Sequence, residues 1–230
     1  MAGANPADGA ARRNKGRKVA VIGSGSWGTT FAKILADAGC DVTLWARRPE
    51  VAQEIQVAKR NSQYLPGINL PKTLQATSSL AQAVTGASLV FLAVPSQTIR
   101  ENLGEIEPFL GRRAVVVSLV KGLERTTTLR ISEVIADVLD LEPERIAVVS
   151  GPNLALEIAK EQPTGAVASC VDLQVAQEVA TAASAPYFLT FVNSDVIGTE
   201  LGGVLKNLIA LAIGIVDGVG YGENTKAAII

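Results

Sequence analysis

The stretch that decides the fold of this chain is KVAVIGSGSWG, residues 18–28. A short apolar run leads into Gly-x-Gly-x-x-Gly, and a helix-forming segment, residues 29–38, follows it. In such a strand–turn–helix, Gly23 permits the tight turn, Gly25 lets the backbone approach a pyrophosphate, and Gly28 lets the helix pack closely on its strand. The first helical turn also offers unpaired N–H groups to that phosphate. Because strand and helix flank the glycines in the required order, the sequence predicts a dinucleotide site rather than a turn that binds nothing.

The composition favours a buried parallel sheet and argues against polyanionic partners. Of the 230 residues, 48% are hydrophobic and 4% aromatic, which suits strands built from Val, Ile and Ala. The formal net charge is −1, so the chain lacks the excess of basic residues that would predict binding to nucleic acid or to a membrane surface. Cys40 and Cys170 lie far apart and form no Cys-x-x-Cys pair. We therefore expect a reduced, cytoplasmic protein.

The chain contains no histidine, which narrows the chemistry available to it. Histidine-ligated metal sites, Ser-His-Asp triads and histidine general acids are excluded, and no metal site is predicted. A lysine is then the natural candidate for moving a proton to or from a carbonyl oxygen.

The amino-terminal residues look unlike the rest of the chain. Residues 1–17 consist mainly of Ala, Gly, Asn and Arg without an apolar period, so a disordered tail is predicted. This tail lacks the apolar core of a signal peptide. The longest uncharged apolar run, residues 208–216, is too short by itself to span a bilayer.

The middle of the chain alternates between strand and helix patterns. This alternation predicts an α/β fold with a Rossmann-type doubly wound sheet over residues 18–195. The predicted strands after the first are 41–45, 88–94, 114–120, 146–150, 164–170 and 187–192. After the first helix, one predicted helix begins at Pro49 and another begins after residues 95–97. Three more are predicted at 80–84, 133–139 and 173–184.

From Val196 the pattern changes to helix alone. Residues 197–216 read as one long helix that is apolar on nearly all sides, and 225–230 begin another. A helix of that kind must be covered by other protein. We therefore expect residues 196–230 to be the beginning of an incomplete, helical second domain, and a homodimer is a further possibility.

Two arginines follow the second predicted strand. In an NAD-specific fold, an acidic residue about twenty positions after the glycines binds the ribose 2′-hydroxyl. Arg47 and Arg48 stand there instead and suit a 2′-phosphate. NADP(H) is therefore favoured, NAD(H) remains possible, and the alternative is a pair of solvated arginines.

Two lysines are candidates for the chemistry. Lys121 follows a strand at the edge where ligands bind in open α/β sheets, as do the 95–96 and 151–153 segments. Lys206 lies within the apolar helix, where a lysine is rare unless it has a function. Burial of a lysine lowers its pKa toward the range useful for proton transfer. The alternatives are a solvated loop lysine at 121 and a lysine at 206 that extends to the surface.

Eight blocks of sequence run over nearly the whole chain after the tail. They are GSGSWGTT at 23–30, LWAR at 44–47, YLPG at 64–67, VPS at 94–96, VKGLE at 120–124, SGPNLALEIA at 150–159, GGVLKNLIA at 202–210 and GENTKAA at 222–228. Together they resemble NAD(P)-dependent glycerol-3-phosphate dehydrogenase of the soluble bacterial type, and the pairing of SGPN with GGxxKN is the specific part.

The resemblance implies roles for individual residues and an activity. Lys206 would be the catalytic lysine, and the substrate would also contact Lys121, Gly151 and Asn153. The cofactor would contact Gly23, Gly25, Ser26, Trp27, Gly28, Arg47, Arg48, Tyr64, Lys121 and Ala155. The family reduces dihydroxyacetone phosphate to sn-glycerol 3-phosphate for phospholipid synthesis. Its members continue for roughly another hundred residues, the size of a small domain, so we expect this chain alone to lack turnover.

Two other functions fit parts of the sequence. One is a dinucleotide-binding module without catalysis, such as a cofactor sensor. The other is a related dehydrogenase that acts on β-hydroxy acids. Lys206 and the block at 150–159 favour the enzyme, because a sensor needs no lysine beside the nicotinamide.

Overall fold

A computed structural model describes residues 13–230 as an eight-stranded sheet covered by helices. The strand order is β3-β2-β1-β4-β5-β6-β7-β8; β1 to β6 are mutually parallel, whereas β7 and β8 run the opposite way. The strands are β1 Lys18–Ile22, β2 Asp41–Trp45, β3 Gln75–Thr77, β4 Leu89–Leu92, β5 Val115–Ser118, β6 Ile146–Ser150, β7 Thr164–Ser169 and β8 Phe188–Asn193.

Helices fill the connections between the strands and follow the last one. They are α1 Ser26–Asp37, α2 Pro49–Ala58, α3 Leu80–Val84, α4 Ile99–Ile106, α5 Ile131–Leu139, α6 Ala155–Ala159, α7 Leu173–Ala182, α8 Val196–Val219 and α9 Glu223–Ile229. The core lies on both faces of the sheet, and every residue of β4 and β5 is buried. Such continuous burial explains why the central strands read as uninterrupted apolar runs.

The predicted fold class is confirmed. The observed bounds of β2 and β6 are those predicted, and the long helix predicted at 197–216 is α8. The sequence analysis missed β3 and α6, which have three and five residues and are too short to show a period.

The prediction of a disordered tail is wrong at its carboxyl end. Asn14 is fully buried, and its side-chain amide donates to the carbonyl oxygens of Ala38 and Thr181, each at 2.9 Å. Arg17 also donates to the carbonyl oxygen of Glu178. These contacts explain the order of this segment, because an amide can bind backbone carbonyls without any apolar period in the sequence. The rest of the predicted tail, residues 1–12, lies outside the described residues.

Helix α8 packs on the sheet only along its first turns. Glu200 and Gly203 are its buried residues, while Leu208, Leu211 and Ile215 are each about 60% exposed. Among residues 13–230, α8 is also the one helix long and apolar enough to cross a membrane, with a mean hydropathy of 1.6. The uncharged run at 208–216 is thus part of a longer apolar helix than the sequence analysis considered. The core helix of a soluble domain has the same length and composition, so this property alone does not assign α8 to a membrane.

Candidate functional site

The three glycines after β1 meet different surroundings. Gly23 has a φ of 112°, and a Cβ there would lie 2.6 Å from the carbonyl oxygen of Ala93. A Cβ on Gly28 would lie 1.9 Å from the carbonyl oxygen of Gly23. Gly25 has nothing within 4 Å of its Cβ position. The fold itself therefore requires Gly23 and Gly28, whereas Gly25 leaves open space beside the amino end of α1, where a phosphate can approach.

A cavity of about 650 Å³ lies at the carboxyl ends of β1, β2, β4 and β5. This edge includes the point between β1 and β4 where the strand order reverses, which is where open α/β sheets bind ligands. The predicted site residues that line it are Gly23, Gly25, Ser26, Trp27, Gly28, Arg47, Arg48, Tyr64, Lys121 and Asn153. Residues 95–96, expected at this edge, also line it. Further lining residues that the sequence analysis did not single out are Ser24, Trp45, Ala93, Val94, Thr98, Leu119 and Val120.

Positive charge and an aromatic ring stand together at one end of this cavity. Arg47 and Arg48 are exposed, and the Arg48 guanidinium carbon lies 5.8 Å from the centre of the Tyr64 ring. Arg48 also hydrogen-bonds to Gln63. The Ser26 hydroxyl donates to the Tyr64 carbonyl oxygen at 2.7 Å, which ties this loop to the start of α1. Two guanidiniums and a ring can accommodate a phosphate beside a planar base.

Asn61 supports the glycine loop and was not predicted. It is fully buried, and its side-chain amide donates to the Ser24 carbonyl oxygen at 2.9 Å and the Thr29 hydroxyl at 2.8 Å. Its side-chain oxygen accepts the Tyr64 backbone N–H. One residue thus joins the glycine loop to the loop that carries Tyr64. No local pattern marks Asn61, since its partners in the glycine loop and α1 lie more than thirty residues away along the chain.

The two candidate lysines converge on the end of β6. The Lys121 ammonium donates to the Gly151 carbonyl oxygen at 2.8 Å. Burial, together with the nearby charge of Lys206, lowers the pKa of Lys121. Lys206 is half-buried and lines a neighbouring cavity of about 340 Å³ with Gly151. Sequence analysis singled out Lys206 as the buried lysine, whereas the structure leaves its side chain half-exposed.

Two side chains that line the larger cavity carry buried polar atoms without partners. Both amide atoms of Asn153 and the indole nitrogen of Trp27 are buried and make no hydrogen bond within the described structure. Buried polar groups are normally paired, so these atoms fit a site that a polar ligand completes. Ala155 lines neither cavity; its carbonyl oxygen accepts the Thr30 hydroxyl at 3.2 Å. Its predicted cofactor contact stays a prediction.

Models of one protein family match most of this chain. The model of the NAD-dependent glycerol-3-phosphate dehydrogenase N-terminus matches residues 18–176, and that of the C-terminus matches residues 195–230. A protein of Leifsonia xyli named glycerol-3-phosphate dehydrogenase, NAD(P)+, is 67% identical over 210 residues, which are 91% of this chain and 57% of that protein. A protein of the same name from Streptomyces griseus is 55% identical over 93% of this chain and 63% of its own length.

Solved structures show the same relationship. Glycerol-3-phosphate dehydrogenase of Coxiella burnetii matches with a TM-score of 0.83 and 33% identity, over 93% of this chain and 65% of that one. The Plasmodium falciparum enzyme matches with a TM-score of 0.85 and 28% identity, over 97% of this chain and 65% of that one. The chain therefore spans about three fifths of the length of these relatives. By its sequence and its fold, this chain belongs to the NAD-dependent glycerol-3-phosphate dehydrogenase family.

Proposed function

We propose that this protein, at the full length of its relatives, interconverts dihydroxyacetone phosphate and sn-glycerol 3-phosphate with NAD(P)H. The observation that carries the proposal is the meeting of Lys121 and Lys206 at Gly151, beside the cavity of the glycine loop. The names of the relatives supply the substrate and the cofactor. The direction we propose is reduction, in the cytoplasm, as a supply for glycerophospholipid synthesis.

The cavity fits a dinucleotide. The open space at Gly25 suits the pyrophosphate, and Arg47 and Arg48 suit a 2′-phosphate, so NADP(H) is favoured over NAD(H). Ser26, Trp27 and Tyr64 would line the cofactor between these points. When bound, its nicotinamide would supply the hydride that reaches the substrate carbonyl carbon.

The two lysines then divide the remaining work. As hydride arrives, the substrate oxygen gains negative charge and needs a proton. Lys206 donates that proton in reduction and accepts it in oxidation. Lys121, held by the Gly151 carbonyl, orients the substrate and contributes positive charge, and Asn153 hydrogen-bonds to the substrate. The lowered pKa of Lys121 makes it the second candidate for the proton donor.

We also propose how the chain is divided and what it does not bind. Residues 18–195 form the dinucleotide-binding domain, and residues 196–230 begin a helical substrate domain. The partners that we propose for this chain are a small phosphorylated substrate and a second copy of the chain, not nucleic acid. Glu200, which is paired and buried, and Lys206 both interrupt α8, which supports a core helix rather than a membrane span.

The test is an assay of turnover with a full-length enzyme, that is, a protein that contains this chain and has the length of its relatives. We expect NADPH oxidation that requires dihydroxyacetone phosphate. Lys206→Met should lower kcat by about 10²–10⁴-fold, the usual worth of acid–base catalysis, with NADPH affinity nearly intact. Lys121→Met should also raise KM, because its charge contacts the bound substrate. Lys72→Met, at an exposed lysine outside both cavities, is the control.

Each other outcome removes a specific part of the proposal. A kcat within a few-fold of wild type in Lys206→Met leaves Lys121 as the proton donor. Turnover with 3-hydroxy acids and not with dihydroxyacetone phosphate identifies the β-hydroxy-acid dehydrogenase. Cofactor binding without turnover on either substrate identifies a non-catalytic module.

A further inference from the structure

Helix α8 is joined to the rest of the protein by a buried carboxylate. Glu200 is 7% exposed. One of its oxygens accepts the Ser132 backbone N–H at 2.9 Å, and the other accepts the Arg130 guanidinium at 2.8 Å and the Ser132 hydroxyl. Ser132 is the second residue of α5, so a side chain from α8 caps the amino end of a different helix.

This position suits a carboxylate for physical reasons. The first backbone N–H groups of a helix have no partner within it, and the helix dipole favours negative charge there. The residue before α5 is Arg130, whose side chain cannot accept a hydrogen bond and provides no cap of its own. Glu133 of α5 accepts the Arg130 backbone N–H, Glu200 supplies the acceptor for the Ser132 N–H, and the Arg130 guanidinium pairs with both carboxylates.

The same contact reaches the loop that begins with Lys121. Arg130 is the last residue of this loop and forms a bridge with Leu123, and the Glu124 backbone N–H donates to the Leu129 carbonyl oxygen at 3.0 Å. The loop is thus closed on itself between Lys121 and Arg130. Through Arg130, Glu200 holds the helix of one candidate lysine against the loop of the other.

The spacing along α8 carries this contact to Lys206. Glu200, Gly203 and Lys206 follow one another at intervals of three, so each residue lies beside the next on the surface of the helix. A Cβ on Gly203 would lie 2.5 Å from the Ser150 hydroxyl and 4.0 Å from Cγ of Lys121. Glu200 and Gly203 are the buried residues of α8, so contact on this side fixes its position.

We propose that Glu200 is a positioning residue: its pairing with Arg130 and Ser132 fixes the rotation and axial position of α8, and so sets where Lys206 lies relative to Lys121 and Gly151. The catalytic consequence rests on the proposed function, while the placement of the helix does not. Glu200 touches neither cavity and acts through Lys206.

The first test compares substitutions of Glu200 in the full-length enzyme. Glu200→Ala should lower kcat by about 10²-fold, the cost of a catalytic group displaced by about 1 Å, without changing the Kd of NADPH. Glu200→Gln keeps an acceptor for the Ser132 N–H and should recover most of the rate.

A matched control separates positioning from stability. Tyr187→Phe breaks another buried network, in which the Tyr187 hydroxyl donates to Asp37 at 2.6 Å beside the ammonium of Lys33. We expect it to lower Tm as Glu200→Ala does but to leave kcat unchanged. Equal losses of kcat in both variants would show that Glu200 affects kcat only through the stability of the fold, and would overturn the inference.

The second test needs no turnover. Because α8 covers the stem of Lys121, loss of the Glu200 contact should hydrate Lys121, move Lys206 away and raise the pKa of Lys121 toward its ordinary value of 10.5. The pKa is read from the pH dependence of amine modification at Lys121 by mass spectrometry. A raised pKa in Glu200→Ala, in an enzyme inactive on every substrate, supports the inference while the proposed function fails. An unchanged pKa with an unchanged kcat overturns the inference.

Discussion

The β1–α1 unit and α8 differ in how much of their contact surface the described residues supply. Most of α1 is buried, and its glycine loop meets Ala93 just after β4, Asn61 and the loop that carries Tyr64. Helix α8 is twice as long, yet only Glu200 and Gly203 are buried. The comparison teaches that the glycine loop is packed on several sides by residues 13–230, whereas the helix that carries Lys206 is held along one side only.

The largest expected effect comes from a substitution that disrupts the packing of the β1–α1 unit. Gly28→Ala would put a Cβ 1.9 Å from a backbone oxygen, which no rotation of a side chain can relieve. We expect α1 to be pushed from β1 and the free energy of unfolding to fall by about 3 kcal/mol, the upper range for overpacking. Chemical denaturation followed by circular dichroism measures this change.

Gly25→Ala is the matched control for that prediction. Its Cβ would enter open space, and its φ of −68° is allowed for alanine. We expect unchanged stability with loss of NADPH binding, because the added methyl group occupies the space for the pyrophosphate. Equal loss of stability in both variants would contradict the distinction between structural and binding glycines.

The second effect concerns the exposed side of α8. Burying a leucine or isoleucine side chain contributes roughly 1.5–3 kcal/mol of free energy. The exposed residues Leu208, Leu211 and Ile215 therefore form an apolar surface that favours association. We expect residues 1–230 produced alone to aggregate, and the double substitution Leu208→Glu with Leu211→Lys to reduce this. Light scattering and sedimentation measure it. Val57→Lys, at an exposed residue on α2, is the control and should change little.

The third effect tests the cofactor end. Losing a charge-assisted phosphate contact in Arg48→Ala should weaken NADPH binding by about 1.5–3 kcal/mol, or roughly ten- to a hundredfold, and leave NADH binding nearly unchanged. Fluorescence titration of both nucleotides measures the difference. Arg60→Ala, whose guanidinium contacts Asn69 outside the cavity, should affect neither. Equal weakening of both nucleotides would show that the pair at 47–48 does not read a 2′-phosphate.

The smallest effect is a pH dependence in the loop between Lys121 and Arg130. Hydrogen bonds from Arg100 and Thr127 hold the pKa of Glu124 below its ordinary value of 4.5. A carboxylate with a lowered pKa contributes stability that is present above that ordinary value and is lost as the pH falls through the lowered one. The difference in Tm between wild type and Glu124→Gln should therefore be constant above pH 4.5 and shrink below it. A difference that does not change with pH would contradict this ion pair.

Local sequence patterns were sufficient to predict the central strands, the glycine loop and the start of α2. The apolar runs of the central strands, the three glycines and Pro49 at the start of α2 are signals that lie within a few residues of what they determine. Asn61 and Glu200 could not be predicted, because the partners of Glu200 lie some seventy residues away and the partners of Asn61 in the glycine loop and α1 lie more than thirty residues away. The half-exposure of Lys206 was not predicted either, because it depends on what packs over α8 rather than on the residues beside the lysine.

Because β7 and β8 run in the reversed direction, the number of residues in the first part of α8 determines where Lys206 lies. Because these strands run opposite to β6, β8 ends far from the glycine loop and α8 must return along the sheet. Its Thr199 hydroxyl lies 2.6 Å from that of Ser169 before Gly203 reaches Ser150 at the end of β6. Deleting one residue between Thr199 and Lys206 would turn the lysine by about 100° and draw it back by about 1.5 Å. We therefore expect an insertion or deletion between Thr199 and Lys206 to displace the ammonium from Lys121 and Gly151, and a change in helix length after Lys206 to leave it in place.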